Sequence, residues 1–124
     1  MASRLVIKGG RPLVGSLEAS GAKNACLPIM AASILAQGVV ELERVPNISD
    51  VRVMADILRE IGVKVDFDAA LGRMYLDSSH LKTTRAPEEL VRKMNASFDV
   101  MGPLLARCGE GEVSMPGGCR LGPR

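Results

Sequence analysis

The chain has 124 residues, 47% of them hydrophobic, and its 16 basic and 14 acidic residues leave a net charge of +2. This length and composition fit one small domain with an aliphatic core. Two phenylalanines, one tyrosine and no tryptophan are too few to stack the bases of a single strand, and the dispersed charges form no basic stripe. A nucleic-acid partner is therefore not expected.

Targeting and metal-binding signals are absent from the sequence. Its start, MASRLVIKGG, lacks the apolar region of a signal peptide, and no window approaches the about 20 apolar residues that a membrane helix needs. The three cysteines form no CxxC pair, and the single histidine cannot complete a zinc site. We therefore expect a cytoplasmic protein with free thiols, no membrane partner, no metal and no cofactor.

The first part of the chain alternates strand and helix signals. Residues 5–7 and 13–19 predict two short strands. Apolar residues on all sides from Ala22 to Leu35 predict a buried helix, which tolerates Pro28 only near its start or with a kink. Gly38 is expected to end this helix.

The middle of the chain predicts a βαββ unit. A strand from Val39 to Val45 precedes the clearest helix, for which Ser49 is the expected N-cap and Gly62 the expected glycine at the C-terminal end. The apolar stripe of this helix consists of Val53, Met54, Ile57, Leu58 and Ile61. Residues 63–67 and 74–76 then predict a β-hairpin.

The last part predicts the start of a second unit. Pro87 and the two glutamates after it are typical of a helix start. The expected buried face of this helix is Leu90, Val91, Met94, Phe98 and Met101. Gly102–Pro103 is expected to interrupt it before a bent second half from Leu104 to Cys108, and residues 112–115 predict a strand. The recurrence of strand and helix indicates an architecture of repeated units.

The end of the chain is the first segment with chemical potential. It places Cys119 between glycines, with Arg120 and Arg124 one and five positions later. The glycines let the backbone approach a ligand closely, while the guanidinium groups favour a thiolate and supply donors for an anion. A reactive cysteine facing an anion is one interpretation, and a glycine-rich hairpin with a surface thiol is the other. This segment alone leaves both open.

Three motifs together reveal a family resemblance: GAKNACLPI from Gly21, MGPLLAR from Met101 and VSMPGGC from Val113. With them the chain resembles the N-terminal part of the UDP-N-acetylglucosamine enolpyruvyl transferases. No GxxxxGKS/T phosphate-binding loop competes with this interpretation.

The resemblance implies a fold. Family members are α/β proteins of two similar domains, each an inside-out barrel of βαβαββ units with helices inside and sheets outside. Residues 1–21 would then contribute the first strands of a second domain, and residues 22–124 would be a partial first domain of about one and a half units. The remainder of the protein's own chain would be needed to complete this fold.

The resemblance also implies an activity, which is the first committed step of peptidoglycan synthesis. The enolpyruvyl group of phosphoenolpyruvate moves to the 3-hydroxyl of UDP-N-acetylglucosamine through a tetrahedral adduct that loses phosphate. Cys119 matches the family's proton donor, which can also hold the substrate covalently and is the target of fosfomycin. Lys23 matches the lysine that contacts phosphoenolpyruvate, Asn24 would contact the enol or sugar, and Arg124 would meet the substrate phosphates.

The chain departs from the family pattern in the segment Lys93 to Ser97. Better-known members carry an arginine where this chain has Asn95, at a position associated with nucleotide-sugar binding. A neutral amide there implies weaker binding of the nucleotide sugar, or another cation that compensates. Asp99 is a second departure, because a large aromatic is common at that position.

The sequence also leaves other roles open for the remaining thiols and the histidine, and other functions open for the chain. Cys26 and Cys108 are expected in the core, and His80 is expected in an exposed loop. The related enolpyruvyl transferase of the shikimate pathway shares the fold, but GAKNACLP argues against it. A non-catalytic fragment or binding module of the same fold is the other open reading.

Overall fold

The computed structural model describes residues 3–115, and the first regular element begins at Lys23. In chain order the elements are α1 Lys23–Ala32, a 3₁₀ helix Ser33–Ala36, β1 Val39–Leu42, α2 Ser49–Ile61, β2 Lys64–Asp68, β3 Arg73–Asp77, α3 Glu88–Val91, a second 3₁₀ helix Asn95–Val100, and α4 Met101–Cys108. None of the helices within residues 3–115 is long and apolar enough to cross a membrane.

The three strands form one antiparallel sheet in the order β1-β3-β2. Leu76 of the central strand pairs with Val40 on one side and with Val65 on the other. Because side chains alternate along a strand, Met74 and Leu76 are fully buried while the residues between and beside them face outward. One face of the sheet is therefore covered by helices, and the predicted βαββ unit is confirmed.

Helix α2 is present as predicted, but its start differs and so does part of its buried stripe, since Val53 is only partly buried whereas Val51 and Ala55 are buried. Gly62 ends the helix with φ of 114°, and its amide donates to the carbonyls of Leu58 and Arg59. Ser49 is not the N-cap, since it is the first helical residue and the extended residue before it, Ile48, has no side chain that can cap. The buried face of the helix consists of Val51, Met54, Ala55, Ile57, Leu58 and Ile61.

Helix α1 and the 3₁₀ helix after it together cover the predicted helical range, with Pro28 inside α1. The expectation of burial on all sides is wrong, however. Leu27 and Met30 are buried, whereas Ile29 is 49% exposed. The helix therefore contributes one face to the core and leaves another open.

The second helical region breaks earlier than predicted. The interruption lies between Val91 and Asn95, where the buried hydroxyl of Ser97 donates to the carbonyls of Val91 and Met94. Gly102–Pro103 does not interrupt a helix, because it lies in the first turn of α4. Backbone nitrogens in a first turn have no intrahelical acceptor, so the missing N–H of proline removes no hydrogen bond there. Phe98 is also exposed, contrary to expectation.

Three predicted strands are not present as strands. The strands predicted at residues 5–7 and 13–19 are absent, and residues 3–21 have no regular structure. The apolar side chains there are exposed, and none of the three described strands pairs with these residues. The predicted strand at 112–115 is reduced to a single parallel bridge between Arg85 and Glu112. The assignment of residues 1–21 to a second domain stays a prediction.

A partly buried polar cluster ties α4 to the βαββ unit. The guanidinium of Arg107 donates to the carbonyl oxygens of Ile34 at 2.8 Å and of Ser78 at 2.6 Å. The buried hydroxyl of Ser78 donates in turn to the carbonyl of Ser33 at 2.8 Å. These bonds satisfy carbonyls at the ends of a 3₁₀ helix and a strand, which would otherwise be costly to bury.

Gly62, in the turn that ends α2, is expected to tolerate substitution least among the glycines of the βαββ unit. An alanine there would adopt a left-handed conformation, and its Cβ would lie 2.5 Å from the backbone nitrogen of Lys82. We expect Gly62→Ala to lower the free energy of unfolding by about 2 kcal/mol or more. Urea unfolding of the full-length protein measures this loss.

Gly102 supplies the matched control. It is an exposed position in helix α4 where an added Cβ meets nothing within 4 Å. Gly102→Ala should therefore leave stability unchanged or raise it by about 0.5–1 kcal/mol, since alanine restricts the unfolded chain. Equal stability of the two variants would contradict the described turn.

Candidate functional site

A cleft of about 310 Å³ lies where the start of α1 meets the start of α2 and the turn that follows α3. Three residues that the family resemblance assigns to substrate binding line it together: Lys23, Asn24 and Asn95. The remaining lining residues are Leu27, Asp50, Lys93, Met94 and Ala96. Three segments that are far apart in sequence are thus brought to one site.

Lys23 is the first residue of α1, and its ammonium group is held by a carboxylate. The Nζ atom donates to Oδ2 of Asp50 at 3.0 Å, with the lysine side chain 51% exposed and the aspartate side chain 31% exposed. A half-exposed ion pair of this kind contributes about 0–1 kcal/mol. Its main consequence is to direct the ammonium toward the cleft, with two of its three donors still available.

Asp50 is a lining residue that the sequence analysis missed. The available signal was an acidic residue in the first turn of α2, which is commonly explained by the helix dipole alone. No local sequence pattern predicts that Asp50 forms an ion pair with Lys23, which lies 27 positions earlier. The pairing results from the packing of α1 on α2.

The opposite wall of the cleft is a short turn, which is held in place by a buried side chain and by hydrogen bonds to its backbone. Met94 has an extended backbone, with φ of −155° and ψ of 153°, and its side chain is only 5% exposed. Asn95 follows as the first residue of the second 3₁₀ helix and is exposed. The hydrogen bonds of Ser97 to the carbonyls of Val91 and Met94 hold this turn in place.

Other predicted site residues lie outside the part of the chain that is described. Cys119 and Arg124 both follow residue 115, as does Arg120. Their assignment therefore stays a prediction from the motif that contains them.

The two described cysteines differ from each other. Cys26 is buried in the core as predicted, and burial raises the pKa of its thiol. Cys108 is exposed, so the prediction that it belongs to the core is wrong. It lies in the last turn of α4, whose single buried residue is Leu104. His80 is exposed as predicted.

Comparison with known proteins decides the family. Residues 7–124 match the sequence profile described as EPSP synthase (3-phosphoshikimate 1-carboxyvinyltransferase). The chain belongs to the EPSP synthase family. Among curated relatives, the UDP-N-acetylglucosamine 1-carboxyvinyltransferase of Chloroherpeton thalassium is 50% identical and that of Rhodospirillum centenum 47% identical, each over 98% of this chain.

A solved structure supports the same assignment. The structure of the enolpyruvyl transferase NikO from Streptomyces tendae superposes on this chain with a TM-score of 0.71 and 29% sequence identity. The superposition covers 82% of this chain and 23% of the NikO chain. The predicted α/β class and enolpyruvyl transferase fold are confirmed. The chain spans only 28% of the length of the Chloroherpeton thalassium relative and 30% of the length of the Rhodospirillum centenum relative.

The burial of Cys26 leads to a prediction about thiol reactivity. A raised pKa leaves less thiolate at neutral pH, and burial restricts access, so Cys26 should react slowly. With limiting iodoacetamide near neutral pH, we expect Cys108 to be alkylated before Cys26, as followed by peptide mapping. Urea should remove the difference, because it exposes both thiols. Faster labelling of Cys26 in the folded protein would contradict its position in the core.

Proposed function

We propose that the full-length protein transfers the enolpyruvyl group of phosphoenolpyruvate to the 3-hydroxyl of UDP-N-acetylglucosamine and releases phosphate. This would be the first committed step of peptidoglycan synthesis, carried out in the cytoplasm. The observation that carries the proposal is that Lys23, Asn24 and Asn95 line one cleft. The names of the curated relatives support the same acceptor.

The chemistry of the cleft is compatible with anionic and polar substrates. Lys23 would donate to the phosphate of phosphoenolpyruvate and stabilise the negative charge that develops on the transferring group. Asn24 can both donate and accept, as contacts with the enol and the sugar require. Asn95 would face the nucleotide sugar.

The remaining roles fall to residues of the C-terminal motif. As the sugar hydroxyl loses its proton to a base and its oxygen adds to the central carbon of phosphoenolpyruvate, Cys119 would protonate the methylene carbon, which becomes a methyl group. The tetrahedral adduct then loses phosphate, and removal of one methyl proton restores the double bond. Arg124 would bind the substrate phosphates, and the same thiol could attack the central carbon to form a covalent adduct.

Two alternatives stand beside this proposal. The family profile carries the name of the 3-phosphoshikimate enzyme, which favours transfer to a shikimate-type alcohol as a second candidate. The other alternative is a non-catalytic fragment or binding module of the same fold, which would bind ligands in the cleft without turnover.

Phosphate release with different acceptors tests the proposed function. We expect the full-length protein to release phosphate from phosphoenolpyruvate when UDP-N-acetylglucosamine is present, and not when 3-phosphoshikimate replaces it. Cys119→Ser should abolish the release, because a hydroxyl is a far weaker acid than the thiol. Release with 3-phosphoshikimate alone would support the second candidate, and no release with either acceptor would support the non-catalytic alternative.

Lys23→Ala separates a role in chemistry from a role in binding. If the ammonium acts on the reacting phosphate, turnover should fall by a factor of about 100 or more while the affinity for UDP-N-acetylglucosamine changes little. Steady-state kinetics and calorimetric titration measure the two quantities. Lys82→Ala is the control, since it removes an exposed lysine outside the cleft. Equal loss of affinity for both substrates would contradict the assignment.

A further inference from the structure

The net charge of the cleft depends on one lysine that has no assigned role. The charged lining residues are Lys23, Asp50 and Lys93. Asp50 lies 3.0 Å from the ammonium of Lys23 and neutralises it locally. Among the residues that the structure describes, Lys93 therefore supplies the net positive charge of this cleft, and without it this part of the lining would be neutral.

Lys93 is also available to bind a ligand. Lys93 forms no salt bridge with any residue in the range 3–115. The neighbouring Arg92, by contrast, is paired with Glu88 of α3. The side chain of Lys93 is exposed. Its long flexible stem lets the ammonium follow an anion bound in front of it.

The backbone at Met94 explains why Lys93 and Asn95 share one wall. When a single residue has extended φ and ψ, the side chains of the residues before and after it point away from its own side chain. Met94 is extended and points into the core, with 5% exposure. Lys93 and Asn95 consequently both face outward and both line the cleft.

We propose that Lys93 binds a phosphate group of a substrate in this cleft, in place of the cation that Asn95 does not provide. The identity of the ligand rests on the proposed function, under which both phosphoenolpyruvate and the diphosphate of the nucleotide sugar carry phosphate oxygens. An ammonium at position 93 would donate charge-assisted hydrogen bonds to either one. Titration of the two substrates separately identifies which phosphate it contacts.

Lys93→Met in the full-length protein is the first test. Loss of a charge-assisted hydrogen bond should weaken the binding of one substrate about tenfold or more at low salt, and the salt dependence of that binding should shrink. Isothermal titration calorimetry at two ionic strengths measures both effects. Lys82→Met makes the same change in net charge outside the cleft and should leave both affinities unchanged. Unchanged affinities in Lys93→Met would overturn the proposal.

Asn95→Arg supplies a rescue experiment. If Lys93 stands in for an arginine at position 95, then Asn95→Arg should restore affinity to Lys93→Met but add little to the parent protein, where it meets a like charge. If Asn95→Arg raised the affinity equally in the parent protein and in Lys93→Met, the claim that Lys93 replaces an arginine at position 95 would be wrong. Lys93→Arg keeps the charge and should retain binding, which separates loss of charge from a folding defect.

Inorganic pyrophosphate provides a readout that does not depend on turnover. We expect it to bind the parent protein more tightly than Lys93→Met. If phosphate release with UDP-N-acetylglucosamine fails but this difference remains, the proposed function is wrong and the phosphate site stands. If turnover is observed but pyrophosphate and both substrates bind the variant normally, the role of Lys93 is wrong and the proposed function stands.

Discussion

The packing of α1 against α2 is the constraint on which the cleft depends. Leu27 and Met30 of α1 and Val51 and Met54 of α2 are almost fully buried, and each such side chain contributes about 1.5–3 kcal/mol. Lys23 begins one helix and Asp50 lies beside Val51 at the start of the other. Burial of the apolar faces therefore brings both helix starts together, and the ion pair between them follows from that packing.

The second wall is held by a different kind of interaction. The buried hydroxyl of Ser97 donates to the carbonyls of Val91, at the end of α3, and of Met94, in the turn itself. Such bonds fix backbone positions where regular hydrogen bonding stops. The turn that carries Lys93 and Asn95 can then be irregular and still well positioned, while its polar side chains remain exposed to a ligand.

Sequence patterns predicted the parts of this fold that are stabilised locally. The apolar stripe of α2 and the alternation in the β2–β3 hairpin are local signals, and both elements are present. Alternation at residues 13–19 was not sufficient, because a strand needs a partner that no local pattern reveals. Gly102–Pro103 was misread because proline breaks a helix interior but is tolerated in a first turn. The motif at Gly21 predicted Lys23 and Asn24, whereas Asp50 and Lys93 enter the cleft only through tertiary packing.

The two cations that can occupy this wall differ in more than position. An arginine presents a planar fork that binds two oxygens of a phosphate in fixed geometry, whereas a lysine acts as a mobile point charge. Under the proposed role of Lys93, the charge lies on the same side of the extended Met94 as position 95, so the electrostatic attraction to a phosphate would be preserved. The same change would reduce directional selectivity, and the orientation of the ligand would then depend more on the amides of Asn24 and Asn95, which line the cleft. The proposal therefore implies that neutral groups, rather than a charged one, orient the ligand.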